Sequence, residues 1–214
     1  MDESELLIDG ARALGITLSA QDAARMLRLL DELARWNRTY NLTAITQRRE
    51  MITRHLLDSL SVHGDLHGRT VADVGTGAGF PGLPLAIVSP ERSFTLIDSS
   101  NKKVRFVAHA VRTLGLSNVT ALHARVESMH PPEPFDTVIA RAFAPLPELL
   151  EKVAPLCGAD TRVLAMKGRR PDDELAAIPP GWRLVECRPL EVPGLEEART
   201  LVVIGRLEPE PGRK

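Results

Sequence analysis

A glycine-rich loop is the strongest chemical signal in the 214-residue sequence. Gly75, Gly77 and Gly79 lie between two short apolar runs, and such glycines permit a tight turn with close approach of a ligand to the backbone. Phe80 stands where the dinucleotide-binding pattern G-x-G-x-x-G needs its last glycine, and the Gly-Lys-Ser/Thr of a Walker loop is absent. The spacing therefore disfavours a dinucleotide oxidoreductase. A turn kept only for packing remains an alternative for the loop taken alone.

Two acidic residues follow the next two predicted strands. Asp98 ends one apolar run, and Glu127 comes just after the following one. The carboxyl ends of parallel strands line the crevice in which such sheets bind ligands, and an acid there can accept hydrogen bonds from a ribose diol. The loop and the two acids predict a site for a nucleoside-bearing cofactor without a pyrophosphate, a description that S-adenosylmethionine meets. The alternative is that both acids only cap helices.

Two basic segments are placed at the same predicted edge of the sheet. The cations in them that could form a basic rim are Lys102, Lys103, Arg105, Lys167 and Arg169. The net charge of −1 differs from that of a strongly basic nucleic-acid binder, but a folded chain can still concentrate cations on one face. Ordinary solvated surface charge is the alternative interpretation.

The other reactive side chains show no catalytic or metal-binding pattern. Cys157 and Cys187 form neither a C-x-x-C pair nor a zinc spacing, and we expect both to pack, the first in a helix. His63 and His67 have the i, i+4 spacing of metal ligands, but no glutamate base lies between them and a glycine does. No metal site is therefore expected. His55 lies on the apolar face of its predicted helix and is expected to be a hydrogen-bonded core histidine.

The first third of the chain has helical periodicity. One helix is predicted to begin after Ser19, with Asp22 completing a capping box. Asn37, Asn41 and Asp58 are expected to tie this part to the sheet rather than to touch substrate. Predicted helices cover about Glu5–Leu14, the stretch after Ser19, Met51–Leu60, Leu83–Val88, Lys102–Leu114 and Pro147–Leu156.

From residue 70 onward, short apolar runs alternate with helical stretches. The predicted strands are Thr70–Val74, Phe94–Ile97, Val119–His123, Thr137–Ala140, Val163–Met166, Trp182–Cys187 and Thr200–Ile204. The pattern predicts an α/β fold with a mainly parallel, seven-stranded sheet covered on both faces. We expect an N-terminal helical extension over residues 1–66 that packs on the core, an α/β domain over 67–207 and a frayed tail over 208–214. The sequence shows neither an 18-residue apolar stretch nor a secretory signal, so we expect a cytoplasmic protein without a membrane span.

Several stretches together resemble one known family. They are Trp36–Ile45, Arg54–Leu60, Asp73–Pro84, Leu96–Phe106, Arg125–Glu127, Ile139–Ala142 and the pair Lys167-Gly168. The chain resembles class I S-adenosylmethionine-dependent methyltransferases, which are Rossmann-like, and within them the bacterial ribosomal RNA small subunit methyltransferase G family. The resemblance runs from about residue 20 to residue 206.

The resemblance implies methylation of N7 of a guanine in 16S ribosomal RNA, with the small ribosomal subunit as partner. The five cations of the basic rim are then the candidates for contacting RNA phosphates, and we expect the enzyme to be a monomer. The implied and expected cofactor-binding residues are Asp73, Gly75, Gly77, Gly79, Phe80, Asp98, Val126, Glu127 and Arg141. Arg141 is also expected to position the target nucleotide, because its planar guanidinium can bridge two ligands.

The residues are compatible with methylation of guanine N7. Guanine N7 carries a lone pair and loses no proton on methylation, so in-line positioning suffices and no general base is required. Residues 141–145 lack the Asp/Asn-Pro-Pro-aromatic motif of amino-group methyltransferases, and neither cysteine suits attack on a pyrimidine. Phe143 is expected either to stack on the extruded base or to pack in the core. A methyltransferase for a protein or small molecule, and a non-catalytic ribosome-assembly module, remain alternatives.

Overall fold

A seven-stranded sheet forms the centre of the computed structural model, which describes residues 2–207. Its strands are β1 (Thr70–Val74), β2 (Ser93–Asp98), β3 (Val119–His123), β4 (Phe135–Arg141), β5 (Cys157–Lys167), β6 (Trp182–Pro189) and β7 (Thr200–Arg206). Their order is β3-β2-β1-β4-β5-β7-β6; β1 to β5 are parallel, and β7 runs antiparallel to both of its neighbours. The predicted mainly parallel sheet is confirmed. Strand order reverses between β1 and β4, so the ligand crevice is expected at their carboxyl ends.

Helices cover both faces of this sheet. They are α1 (Glu3–Ala13), α2 (Ala20–Tyr40), α3 (Arg48–Met51), a π-helical segment (Ile52–Leu57), α4 (Asp58–Leu60), α5 (Gly82–Val88), α6 (Asn101–Leu114), α7 (Leu146–Val153) and α8 (Asp172–Ala176). Single 3-10 turns lie at His63–Asp65, Val126–Ser128 and Ala154–Leu156. Ser19 begins α2 as predicted, because its Oγ accepts a hydrogen bond from the backbone N–H of Asp22 at 3.1 Å.

The N-terminal helices share one core with the sheet. Leu7, Met26 and Leu33 are fully buried and belong to the same apolar cluster as Phe94 and Phe106. Each such side chain contributes about 1.5–3 kcal/mol when it is fully buried. The other face of the sheet packs against α7 in a second cluster. The helices before residue 61 therefore form part of one wall of the sheet's core.

Two local features differ from the sequence predictions. The helix expected over Met51–Leu60 forms, but residues 52–57 adopt the wider π-helical turn with i to i+5 hydrogen bonds. The helix expected to run to Leu156 ends at Val153, and Cys157 begins β5 instead of lying in a helix. The helical assignment of Cys157 is thus wrong, because a 3-10 turn ends the helix and β5 pairs with β4 from residue 157 onward.

Within residues 2–207, no helix has both the length and the apolar character that crossing a bilayer would require. The expected tail over 208–214 lies outside the described residues.

Candidate active site

Two buried acids, Asp73 and Asp98, accept hydrogen bonds that hold the glycine loop after β1 in place. Gly75, Gly77 and Gly79 all have positive φ, at 66°, 62° and 87°, which confirms the tight turn that the spacing predicted. Asp73 accepts hydrogen bonds at Oδ2 from the Thr76 hydroxyl at 2.6 Å and from the Gly82 N–H at 2.8 Å. A side chain at Gly75 would also overlap the ring of Phe143.

A cavity of about 270 Å³ opens beside this loop, where β1, β2, β3 and β4 end. Four of the expected cofactor residues line it, namely Gly75, Asp98, Val126 and Glu127, together with the expected RNA residue Lys103. We call it the cofactor cavity.

Asp98 is the most enclosed polar group of the cofactor cavity, with 6% of its surface exposed. Its Oδ2 accepts the N–H of Gly77 at 2.9 Å, and its Oδ1 accepts the N–H of Ser100 at 2.8 Å. Each carboxylate oxygen has a second lone pair, so two acceptor positions remain for hydroxyl groups. Lys103 Nζ lies 3.7 Å from Oδ2. This donor and acceptor set fits the ribose of a nucleoside.

Five of the expected cofactor residues do not line this cavity: Arg141, described below with the second cavity, and four that belong to the loop or lie beneath it. Asp73 is 0% exposed and lies under the loop, where burial raises the pKa of its carboxyl to about 6. Phe80 is 3% exposed, and its ring stacks on His55 with centroids 4.7 Å apart. Gly77 donates to Asp98, and the space next to Gly79 is filled by the Leu83 side chain. These residues shape the loop instead of facing its ligand side.

A second cavity of about 370 Å³ lies on the other side of the residue that follows β4. Its polar lining comprises Arg54, His55, Asp58, Arg141, Lys167 and Arg199. Ala142 lines both cavities and has φ 50°, in the left-handed region that is uncommon for alanine. We call the second space the base cavity, and Ala142, directly after β4, lines both cavities.

Asp58 holds two arginines of the base cavity in place. Its side chain is almost fully buried; Oδ2 accepts from Arg141 Nη1 and Oδ1 accepts from Arg199 Nε, both at 2.9 Å. Arg141 Nη1 also donates to the backbone oxygen of Arg54 at 3.0 Å. Arg141 therefore lines the base cavity and not the cofactor cavity, because its guanidinium is drawn towards the N-terminal helices. The expectation that Asp58 ties these helices to the sheet is confirmed.

Two further expectations about the helical part need correction. Asn37 hydrogen-bonds the backbone N–H and carbonyl of Thr43 at 2.8 and 2.9 Å, and Asn41 ends α2 with φ 48°. Both shape the connection after α2 and neither bonds to the sheet within the described residues. His55 is buried as expected, but only its Nε2 has a partner, the Thr43 Oγ1 at 3.1 Å.

The expected RNA-contacting cations divide into engaged and exposed ones. Lys167 is mostly buried, and its Nζ donates to Glu174 Oε2 at 2.7 Å and to the Ala144 carbonyl at 2.8 Å. It therefore fixes the loop after β4 instead of forming an outer rim. Lys102 Nζ donates to the Tyr40 carbonyl at 3.1 Å, whereas Arg105 and Arg169 are exposed.

Several lining residues were not expected from the sequence. Ser99, Arg125 and Lys152 line the cofactor cavity, and Arg54 and Arg199 line the base cavity. Arg54, Ser99 and Arg125 do fall within the stretches that resemble the family, which is the signal that could have identified them. Lys152 and Arg199 reach the site only through the packing of α7 and of the segment before β7, which leaves no local trace.

The remaining candidate groups carry no chemistry at this site. Burial raises the pKa of the Cys157 thiol to about 12, so it stays protonated and is a poor nucleophile. Among residues 2–207 there is no group of three or more side chains arranged to hold a metal ion.

Comparison with known proteins gives a consistent assignment. The profile of a family described as rRNA small subunit methyltransferase G matches residues 22–202. A protein named ribosomal RNA small subunit methyltransferase G from Methylococcus capsulatus is 50% identical, over 92% of this chain and 95% of its own length. The protein of that name from Azoarcus sp. is 47% identical, over 94% of this chain and 95% of its own.

Solved structures with lower identity share the fold. TrmN from Thermus thermophilus has a TM-score of 0.56 at 22% identity, over 73% of this chain and 53% of its own. A SAM dependent methyltransferase from Aquifex aeolicus has a TM-score of 0.54 at 23% identity, over 72% of this chain and 92% of its own. The sheet order and these likenesses establish a class I methyltransferase fold. Since the family profile matches most of the sequence, the chain belongs to the rRNA small subunit methyltransferase G family and is an S-adenosylmethionine-dependent methyltransferase of small-subunit ribosomal RNA.

Proposed function

We propose that the protein methylates N7 of a guanine in 16S ribosomal RNA, with the cofactor in the cofactor cavity and the guanine in the base cavity. The observation that carries this proposal is the position of Ala142, which lines both cavities. Two ligands on either side of so small a residue can bring their reacting atoms within about 3–3.5 Å, the separation that in-line transfer needs.

Residues of the cofactor cavity have distinct proposed roles. Asp98 accepts the ribose hydroxyls, Gly75 forms part of the wall with the Phe143 ring packed against it, and Val126 and Glu127 border the nucleoside base. Asp73 and Gly77 keep the loop and Asp98 in place through their hydrogen bonds. S-adenosylmethionine, when bound, supplies the electrophilic methyl group.

In the base cavity, Arg141 is the proposed positioning residue. Asp58 and the Arg54 carbonyl both fix its Nη1. Within residues 2–207 its other guanidinium nitrogens make no hydrogen bond, so they are available to the target nucleotide. Guanine N7 releases no proton on methylation, and the cavity accordingly needs no general base. Phe143 lies against Gly75 in the cofactor cavity, which places it in the wall and disfavours stacking on the target base.

The proposal extends to partners and organisation. Residues 1–66 act as a helical extension that supplies Arg54 and His55 to the base cavity, and residues 67–207 form the methyltransferase domain. Arg105 and Arg169 are the exposed cations proposed to contact RNA phosphates. We propose a monomer that acts on the small ribosomal subunit or its RNA in the cytoplasm.

The activity is tested by transfer of labelled methyl groups to small-subunit RNA from cells that lack this protein, followed by mass spectrometry of the nucleosides. We expect a single labelled product, 7-methylguanosine. Label in an extract protein, a small molecule or another nucleoside, with none in guanosine, would overturn the proposal.

The cofactor site is tested separately by calorimetry with S-adenosylmethionine. Asp98→Ala should weaken binding roughly 10–100-fold, because hydrogen bonds to a charged acceptor contribute about 1.5–3 kcal/mol. The control is Glu191→Ala, an exposed acid outside both cavities, which should bind as the wild type does. Equal affinities for the two variants would remove Asp98 from the site.

A further inference from the structure

The charged side chains of the base cavity include one cation more than their acidic partners can neutralise. The charged lining consists of four cations and one acid, namely Arg54, Lys167, Arg141, Arg199 and Asp58. Arg54 forms an ion pair with Glu197. Lys167 forms one with Glu174, at 2.7 Å. The two remaining arginines share the one acid of the lining, so within residues 2–207 this cluster and its direct ion-pair partners carry one uncompensated positive charge.

Asp58 fixes these two arginines and leaves several of their donors free. It accepts from Nη1 of Arg141 and from Nε of Arg199, and each guanidinium donates one further bond to a backbone carbonyl. Within residues 2–207, Nε and Nη2 of Arg141 and Nη2 of Arg199 make no hydrogen bond. None of these three nitrogens is buried, and each of the two side chains is 22% exposed. The free donors are therefore open to a ligand in the cavity that both arginines line.

Two fixed guanidinium groups with free N–H donors are suited to binding an oxyanion. The planar fork of arginine matches the oxygens of a phosphate or a carboxylate, and hydrogen bonds between charged groups are shorter and stronger than neutral ones. The target nucleotide brings a phosphate, and the cofactor brings the carboxylate of its methionine part. Both arginines line the base cavity and neither lines the cofactor cavity, which favours the phosphate.

We propose that Arg141 and Arg199 form an oxyanion subsite of the base cavity that binds a phosphate next to the target guanosine. This inference rests on the proposed function, because it requires the target nucleotide in that cavity. A bound phosphate supplies the missing negative charge and holds the backbone of the extruded nucleotide while its base faces Ala142. Because phosphate contacts position RNA without reading its sequence, the subsite fixes the nucleotide and leaves the choice of base to other groups.

The test removes the charge from either partner of the contact. Small-subunit RNA is prepared with a neutral methylphosphonate in place of the phosphate 5′ or 3′ to the target guanosine. For the wild type we expect kcat/KM to fall about tenfold at one of the two positions, since a hydrogen bond between charged groups accounts for about a tenfold change or more. Arg199→Gln should lose about tenfold on unmodified RNA, and methylphosphonate should then reduce its kcat/KM by less than about threefold, because the two changes remove the same contact.

Two further variants separate this contact from the structural role of Arg199. Arg199→Lys keeps the charge and should retain part of the activity and of the response to methylphosphonate, which tests the subsite even if the glutamine variant folds poorly. Arg188→Gln is the matched control, because it breaks a similar arginine–aspartate pair, with Asp65, outside both cavities. It should respond to methylphosphonate as the wild type does.

Calorimetry with S-adenosylmethionine distinguishes the two sources of an oxyanion, and we expect unchanged affinity in Arg199→Gln. Weaker cofactor binding by that variant would assign the arginine to the methionine carboxylate and overturn the inference. A full methylphosphonate effect in Arg199→Gln, or none at either position in the wild type, also overturns it while the proposed function stands. Absence of 7-methylguanosine with the wild-type enzyme on unmodified RNA overturns the proposed function itself.

Discussion

Two buried titratable residues near the active site have pKa values displaced in opposite directions. Burial raises the pKa of the Asp73 carboxyl to about 6, and burial together with Arg141 lowers the pKa of the His55 imidazole to about 4. Both groups are neutral in the folded protein at intermediate pH. Their effects on stability therefore fall in the same pH range and have opposite signs.

For Asp73 the folded state binds more protons than the unfolded state between about pH 4 and pH 6, so its contribution to stability falls as the pH rises. For His55 the unfolded state binds more protons between about pH 4 and pH 6.5, so its contribution rises with pH. A shift of about two units corresponds to about 3 kcal/mol. The two contributions nearly cancel in the wild type.

Replacing either Asp73 or His55 should reveal the pH dependence of stability that the other residue contributes. We expect His55→Gln to lose about 3 kcal/mol of unfolding free energy, relative to the wild-type profile, as the pH rises from 4 to 6. Asp73→Asn, which keeps an oxygen for Thr76 and Gly82, should gain a similar amount over the same range. Urea unfolding at a series of pH values measures both. If the unfolding free energies of the variants ran parallel to that of the wild type across this pH range, the pKa values of Asp73 and His55 would not be shifted as stated.

At the scale of elements, the basic side chains of helix α6 differ in where they lie: some border the cofactor cavity and others are exposed on the surface. Lys103 lines the cavity, whereas Arg105 is exposed near the start of the helix and Arg112 is exposed near its end. Arg105 and Arg112 are seven residues, or about two helical turns, apart, so they lie on nearly the same helix face. This spacing offers a matched comparison of position along one element.

We expect Arg105→Ala combined with Arg169→Ala to weaken RNA binding several-fold and to reduce the slope of log affinity against log salt by about one to two, one for each lost phosphate contact. Arg112→Ala is the control and should leave both affinity and slope unchanged. Filter binding to small-subunit RNA across a range of salt concentrations measures this. A slope that is the same for all proteins would assign Arg105 and Arg169 to ordinary surface.

Elements with regular local patterns were predictable from the sequence. Strand β1 and the start of α2 at Ser19 follow from the apolar run and the capping residue. The early start of β5 did not follow, because its first residues are held by pairing with β4, a long-range contact. The π-helical turn at residues 52–57 has no local signal either, since packing of its buried side chains against α1 and α2 competes with the ordinary α-helical hydrogen bonds.

At the scale of the whole molecule, Asp58 joins three parts of the chain. It lies at the start of α4 and bonds Arg141 at the end of β4 and Arg199 just before β7. Removing one member of a buried ion pair typically costs about 3–5 kcal/mol, because the partner charges remain buried without compensation.

Asp58→Ala should therefore lower the unfolding free energy by about 3–5 kcal/mol and shift the urea midpoint without changing the slope. Asp9→Ala removes the exposed pair with Arg12 and should cost less than about 1 kcal/mol. Equal midpoints for the two variants would contradict the structural role of Asp58.

The active site shows the same division between local and long-range information. Gly75, Asp98 and Glu127 follow strands directly, so topology alone brings them to one edge. Lys167 and Arg141 also end strands, yet Glu174 and Asp58 turn their charged groups away from the expected places. Those partners are distant in sequence or lie in another part of the fold. A sequence pattern reports which residues reach an edge, but it does not report the ion pairs that orient them.

The π-helical segment determines how the chain between Met51 and Asp58 is wound, and so the direction in which the Asp58 side chain points. An α-helix advances about 100° per residue, and a π turn holds an additional residue in the same span. Deleting one residue there would let the segment close into an ordinary α-helix of the same span, whereas inserting a further residue would swing Asp58 by about 100° away from both arginines. This stretch should therefore accept replacements of similar size, or the loss of one residue, far more readily than an insertion, which would separate Asp58 from the two side chains that it holds.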